Sequence, residues 1–225
     1  MSSWAPGSFL DRLEPELQGK LLALGVTRDI SSGRRIFIEG GRDTHVEIIQ
    51  QGVAKVTMSV GGTEQLLAVR LPGDLVGEFA ALTDGQRTAT VTACGEVRAT
   101  VIQQAAFRAF LSRHLEVANE VTATVGRRLH WANLRRADFS AFPVPVRLAR
   151  VLLELVEVIG DPVDGGVRIA VDLTHAELAT LVGAVDDTVQ RTLRGMRDDG
   201  VIRTGYRRIT VTDPDRLRRR AEEAL

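Results

Sequence analysis

Gly77-Glu78-Phe79-Ala80-Ala81-Leu82, four spacer residues, then Arg87-Thr88-Ala89-Thr90-Val91 is the stretch that decides how this 225-residue chain is read. Pro72-Gly73-Asp74 precedes it. A glycine-led turn exposes backbone N–H groups that suit anionic oxygens. Arg87 offers a planar fork for a phosphodiester, a geometry that lysine does not copy. Glu78 offers a carboxylate acceptor for a ribose 2′-hydroxyl, and Thr88 a short hydroxyl beside the anion.

Outward from this stretch the pattern is β-rich. Arg35–Ile38, Val46–Gln50, Ala54–Val60 and Gln65–Val69 alternate with turns at Gly40-Gly41, Gly52, Gly61-Gly62, Gly73 and Gly85. Short strands at this spacing predict a sandwich, barrel or roll between about Ile30 and Ile102. The central stretch resembles the phosphate-binding cassette of cyclic-nucleotide-binding domains, with at least seven positions matching in order. The resemblance implies nucleotide contacts from Val76, Gly77, Glu78, Phe79, Ala80, Arg87 and Thr88.

On the N-terminal side, Phe9, Leu10, Leu13, Leu17 and Leu21 predict an amphipathic helix over Ser8–Leu24. On the C-terminal side, Phe107–Ala141 predicts one helix of roughly 35 residues, about 50 Å long. Leu115, Ala118, Thr122, Val125, Leu129 and Ala132, extended by Phe139, form a heptad seam read as an intersubunit contact. Arg127, Arg128, Arg135 and Arg136 beside the seam are read as solvated. Pro143 and Pro145 break the helix into a hinge.

Beyond the hinge the expected elements are a helix at Val146–Ile159, a loop at Asp161–Gly166, and a strand at Arg168–Val171. A helix at Thr174–Val182 follows, opened by the capping box Thr174-x-x-Glu177. Gly183 turns the chain into a helix at Val185–Asp199 with Val189, Leu193 and Met196 inward. Val201–Arg203 and Arg207–Val211 then flank a Thr204-Gly205-Tyr206 turn. Helix, glycine turn, helix and hairpin make a winged helix-turn-helix.

Taken together the chain resembles the cyclic-AMP receptor protein/FNR superfamily of bacterial transcription regulators, over about Phe9 to Val211. Leu173-Thr174-x-x-Glu177-Leu178-Ala179-x-Leu181-Val182-Gly183 and Thr188-Val189-x-Arg191-x-Leu193 carry the match in its second half. The resemblance implies an α+β fold: a β-roll at 1–110, a dimerisation helix and hinge at 111–142, and a winged helix-turn-helix at 143–225. It implies a cytoplasmic homodimer that binds a cyclic nucleotide, double-stranded DNA and RNA polymerase, with no enzymatic activity.

Two departures from the family pattern bear on specificity. The two positions that carry adenine-reading hydroxyls in the family hold Ala132 and Asn133; Asn133, with Arg128, remains a candidate nucleotide contact. Cyclic AMP is the first expected ligand, and cyclic GMP stays open because Thr88 is shared with domains that bind it. In the second helix the usual Ser-Arg-Glu-Thr-Val reads Val185-Asp186-Asp187-Thr188-Val189. Asp186 cannot donate to guanine and is read either as a changed base contact or as a helix cap. Asp187 can accept from cytosine, Gln190 can reach adenine, and Arg191 keeps a basic base-reader. Thr174, His175 and Arg207 complete the expected DNA contacts.

Composition narrows the alternatives. Charge is balanced at 29 basic and 29 acidic residues, so DNA contact needs a local patch. Arg203, Arg207 and Arg208 on the wing are one candidate patch, and Arg216 with Arg218–Arg220 a second. The single cysteine, Cys94, excludes an internal disulfide framework or a cysteine-ligated iron–sulfur cluster. The four histidines show no metal-ligand spacing, and no apolar run of membrane-spanning length or opening signal peptide is read. No nucleophile with a base and no carboxylate pair stands in a catalytic motif. The competing readings are a regulator of the same fold with a different ligand or none, and a nucleotide-binding interaction module with weak DNA binding.

Overall fold

The computed structural model describes residues 4–222. The chain forms two compact units, Met1–Leu129 and His130–Leu225.

The first unit is a roll of two four-stranded antiparallel sheets. One sheet has the order β1 (Val26–Ile30), β8 (Val97–Ile102), β3 (Val46–Gln51), β6 (Leu75–Val76). The other has the order β2 (Arg35–Phe37), β7 (Thr90–Ala93), β4 (Ala54–Val60), β5 (Thr63–Arg70). Alternation places Ile30, Phe37, Ile49, Val76, Val91, Val97 and Ala99 of both sheets in one core. A second core lies on the outer face of β3, where Val46 and Ile48 meet Phe9, Leu10, Leu17, Leu21, Phe107 and Phe110. Burying such side chains contributes about 1.5–3 kcal/mol each.

The N-terminal helix is shorter than the periodicity predicts. α1 covers Pro15–Leu22, and Phe9, Leu10 and Leu13 enter the core from turns instead. Pro15 sets this limit, because its ring suits the first helical turn and its missing N–H breaks an interior one.

The long helix is likewise divided. α2 (Glu78–Thr83) follows β6, and α3 (Gln104–Leu111) follows β8. The chain breaks at Ser112–His114 before α4 (Leu115–Ala141) begins. The break lets Phe107 and Phe110 of α3 share a core with Val117 and Val121 of α4, while the His114 ring lies 4.2 Å from that of Phe110. α4 therefore carries two stripes. Val117, Val121 and Thr124 are buried, whereas Leu115 and Leu129 of the heptad seam are 72% and 61% exposed.

The second unit begins with the last turns of α4, and α5 (Val144–Ile159) follows after Pro143 at its N-cap. The expected Asp161–Gly166 loop is instead a hairpin, β9 (Gly160–Val163) with β10 (Gly166–Ile169), around Asp164-Gly165. An Asp-Gly pair is the favoured two-residue hairpin turn, and that signal was present in the sequence. α6 (His175–Val182), α7 (Asp186–Asp198), β11 (Ile202–Gly205), β12 (Arg208–Val211) and α8 (Pro214–Glu222) complete the unit. Its sheet runs β11-β12-β10-β9. The wing turn is Tyr206-Arg207, one residue later than expected, since Gly205 pairs with Arg208.

Candidate functional site

In the first unit, Gly77 sits at φ +83° before α2. A Cβ there would lie 2.5 Å from Arg87 Nη1 and 2.9 Å from the Phe37 ring, so glycine alone fits both the backbone and the space. The close approach exists because Arg87 Nη1 donates to the Gly77 carbonyl at 2.9 Å.

Arg87 is 4% exposed. Its Nε and Nη2 donate to Asp43 Oδ2 at 2.9 and 2.6 Å, and Nη2 also donates to the His45 carbonyl at 2.6 Å. The guanidinium lies over Phe37, 3.6 Å from the ring centroid. His45 extends this cluster: its Nδ1 is 3.6 Å from Asp43, and its Nε2 is 3.2 Å from the fully buried Glu47, which Arg28 also pairs.

Glu78, also buried, accepts from Arg128 Nη1 at 2.6 Å, and Arg128 Nη2 donates to the Leu75 carbonyl at 2.8 Å. The expectation of a solvated Arg128 is thus corrected: it closes over the cassette carboxylate. Arg70 stands half-buried at the end of β5 and donates to the Val69 carbonyl. Burial first, and the Arg128 charge second, push Arg70 down to about 10, against the pull of Asp74 and Glu78. Val76 and Ala80 are buried; Phe79 and Thr88 are exposed. The structure therefore gathers Gly77, Glu78, Arg87 and Arg128. It adds Asp43, His45, Phe37 and Arg70, none of which the sequence singled out. Asp43 lies 44 positions from Arg87, and no local pattern links them.

Ala132 and Asn133 are exposed residues of α4 within the second unit. Further along, Arg135 is paired rather than solvated: it donates to Glu154 and lies over the Trp131 ring. Phe139 also serves its own unit. A Cβ at Gly183 would fall 3.0 Å from its ring, and Gly183 itself has φ +62°, so the turn between α6 and α7 requires glycine twice over.

α6 begins with the expected capping box. The Glu177 N–H donates to Thr174 Oγ1 at 3.1 Å, and the Thr174 N–H to Glu177 Oε2 at 2.8 Å. α7 buries Val189, Leu193 and Met196 and exposes Asp187, Gln190, Arg191 and Arg194. Asp186 is not the cap: Val185 is, and Asp186 Oδ1 accepts from Gln190 Nε2 at 3.1 Å. Its charge still favours the first turn through the helix dipole.

The wing returns to the start of α6, where the Leu173 N–H donates to the Arg207 carbonyl at 3.0 Å. A cleft of about 320 Å³ brings Thr174 and His175 beside Tyr206, Arg207 and Arg208. Arg207 holds φ +55°, rare outside glycine, and Tyr206 is 83% exposed. The second basic run is tied down instead: Arg218 pairs with Asp215, Arg220 with Asp199, and Arg216 donates to the Asp199 carbonyl. Among the described residues no cluster of three or more His, Cys, Asp or Glu could hold a metal ion, and no helix is long and apolar enough to cross a membrane.

Two family models match the chain: a cyclic nucleotide-binding domain over residues 27–114, and a Crp-like helix-turn-helix domain over residues 146–220. The chain is 34% identical over 194 residues to the CRP-like cAMP-activated global transcriptional regulator of Mycobacterium tuberculosis, covering 86% of this chain and 87% of that one. It is 28% identical to the cyclic AMP receptor protein of Thermus thermophilus, covering 89% of this chain and 90% of that one. The fold is shared with FixK2 of Bradyrhizobium japonicum, at a TM-score of 0.75 and 20% identity, over 89% of this chain and 99% of that one.

Proposed function

The chain belongs to the CRP/FNR superfamily of transcription regulators, and from that premise we propose that it is a cyclic-nucleotide-responsive, sequence-specific DNA-binding regulator. The observation that carries this reading is the gathering of Gly77, Glu78, Arg87 and Arg128 at one site in the roll. The arginine fork of Arg87 suits a cyclic phosphodiester, and Glu78, held by Arg128, suits the 2′-hydroxyl. Cyclic AMP is the first ligand in this reading, supported by the names of the relatives; cyclic GMP is the second.

The dimer in this reading forms through the exposed stripe of α4, with Leu115 and Leu129 at its core. α7 enters the major groove, with Gln190 and Arg191 reading bases, and Arg207 and Arg208 of the wing hold phosphates. Asp186 steadies Gln190 through their bond and leaves one amide N–H and the carbonyl to read adenine. Nucleotide binding shifts the dimer toward its DNA-binding state, RNA polymerase is the downstream partner, and the protein acts in the cytoplasm.

A second reading, an operator-binding regulator with no small ligand, draws on one observation: Asp43 already occupies the fork of Arg87. A gel shift with genomic fragments, with and without cyclic AMP or cyclic GMP, separates them. Nucleotide-dependent retention of particular fragments supports the first reading, and retention indifferent to nucleotide the second. No retained fragment in any state refutes both.

A further inference from the structure

We propose that Asp43 is a displaceable internal occupant of the phosphate site, and that a cyclic nucleotide binds by exchanging its phosphodiester for this carboxylate on Arg87. The proposal rests on the cyclic-nucleotide reading above and adds a residue that sets the affinity of that site.

The partners of Arg87 divide into two kinds. The Gly77 and His45 carbonyls are backbone groups at 2.9 and 2.6 Å, and Phe37 is a core ring under the guanidinium. These fix its direction and stay when a ligand arrives. Asp43 is the fourth partner and is of the other kind. It lies on the segment between β2 and β3, its side chain is 44% exposed against 2% for Arg87, and it takes both Nε and Nη2. A carboxylate and a phosphodiester present the same thing to a guanidinium: anionic oxygens that accept from its N–H groups. Four hydrogen bonds already engage Arg87, so a phosphodiester cannot take the Nε and Nη2 edge while Asp43 stays.

The released carboxylate has places to go. Half its surface already meets water, and His45 Nδ1 stands 3.6 Å away, with the far side of that ring held by Glu47. Gly41 keeps the segment close, since a Cβ there would fall 2.9 Å from Asp43 Oδ1. Exchange keeps Arg87 neutralised in both states and avoids a buried unpaired cation in the nucleotide-free protein. The consequence is a reduced apparent affinity, because only the fraction of molecules with Asp43 released can accept ligand.

The test compares the full chain with D43N and D43S, titrated calorimetrically with cyclic AMP and cyclic GMP after thermal melts show each variant folded. Both variants should bind the preferred nucleotide roughly tenfold more tightly than the parent, as expected when a competing charge pair is removed. Binding by the variants where the parent shows none also supports the exchange. Equal or weaker binding in both variants overturns it and makes Asp43 a residue that merely aims Arg87. If neither the parent nor a variant binds either nucleotide, the cyclic-nucleotide reading itself fails, and the exchange with it. A measurement on the parent chain guards against unfolded variants: in arginine-¹⁵N spectra the Arg87 Nε–H signal should move on saturation with nucleotide. A saturated protein whose signal stays in place contradicts the exchange.

Discussion

Arginine serves both candidate surfaces of this molecule, in opposite states. In the roll, Arg87 and Arg128 are held by carboxylates and carbonyls of their own chain, and Glu78 and Arg87 are buried. In the helix-turn-helix unit, Arg191 and Arg194 of α7 are exposed and form no ion pair among the described residues; the exposed Arg207 guanidinium lies 5.3 Å from the Tyr206 ring. The difference follows from what each surface meets. In the proposed reading a small anion is enclosed, so its site must stay neutral without it, and binding is an exchange of partners. DNA is met across an open face, where solvated cations add to the interaction by releasing counterions from the duplex.

The largest expected effect is on Arg87→Ala. Read from the sequence alone, this change weakens nucleotide binding strongly and leaves the fold intact. The structure revises the second half, because the variant strips Asp43 and the Gly77 and His45 carbonyls of their shared donor. Stability should fall by about 2–4 kcal/mol as well, measured by denaturant titration. A variant as stable as the parent would break the contrast drawn here. Arg191→Ala sharpens it from the other side. DNA affinity should drop by roughly 1–3 kcal/mol, with specificity relaxed at one base step, and the melting temperature should not move.

The legible and the hidden parts of the fold divide along sequence distance. Gly77, Glu78 and Arg87 fall within eleven consecutive residues, and the box of Thr174 and Glu177 within four, so local spacing was enough to find them. Their partners were not local. Asp43 reaches Arg87 across 44 positions and Arg128 reaches Glu78 across 50, and neither pairing leaves a periodic trace. α4 misled for another reason. Its exposed seam of Leu115 and Leu129 is a regular pattern, while the buried stripe is Val117, Val121 and Thr124, of which Val117 and Val121 share the core of β3 and α3. Two stripes on one helix merge into a single long apolar pattern, which also concealed the break at Ser112–His114. Phe139 fits the seam by spacing yet lies against Gly183.

Smaller effects probe the second unit. Thr174→Ala removes the cap of α6 and should cost about 1 kcal/mol of stability, seen as a lower melting temperature with the roll unaffected. Arg207→Gly should relieve the positive φ and leave stability equal or about 0.5 kcal/mol higher. In DNA binding it should weaken all sequences alike and flatten the salt slope by about one unit. A sequence-selective loss would instead place Arg207 among the base readers.

The most direct test of the central claim is calorimetric titration of the full chain with cyclic AMP, beside an Arg87→Lys variant that keeps the charge but not the fork. The account predicts saturable binding of one nucleotide per chain in the parent and a loss of at least tenfold in the variant, because a point charge does not replace paired donors. Equal affinity in the two proteins, or no binding of cyclic AMP or cyclic GMP by the parent, would contradict it.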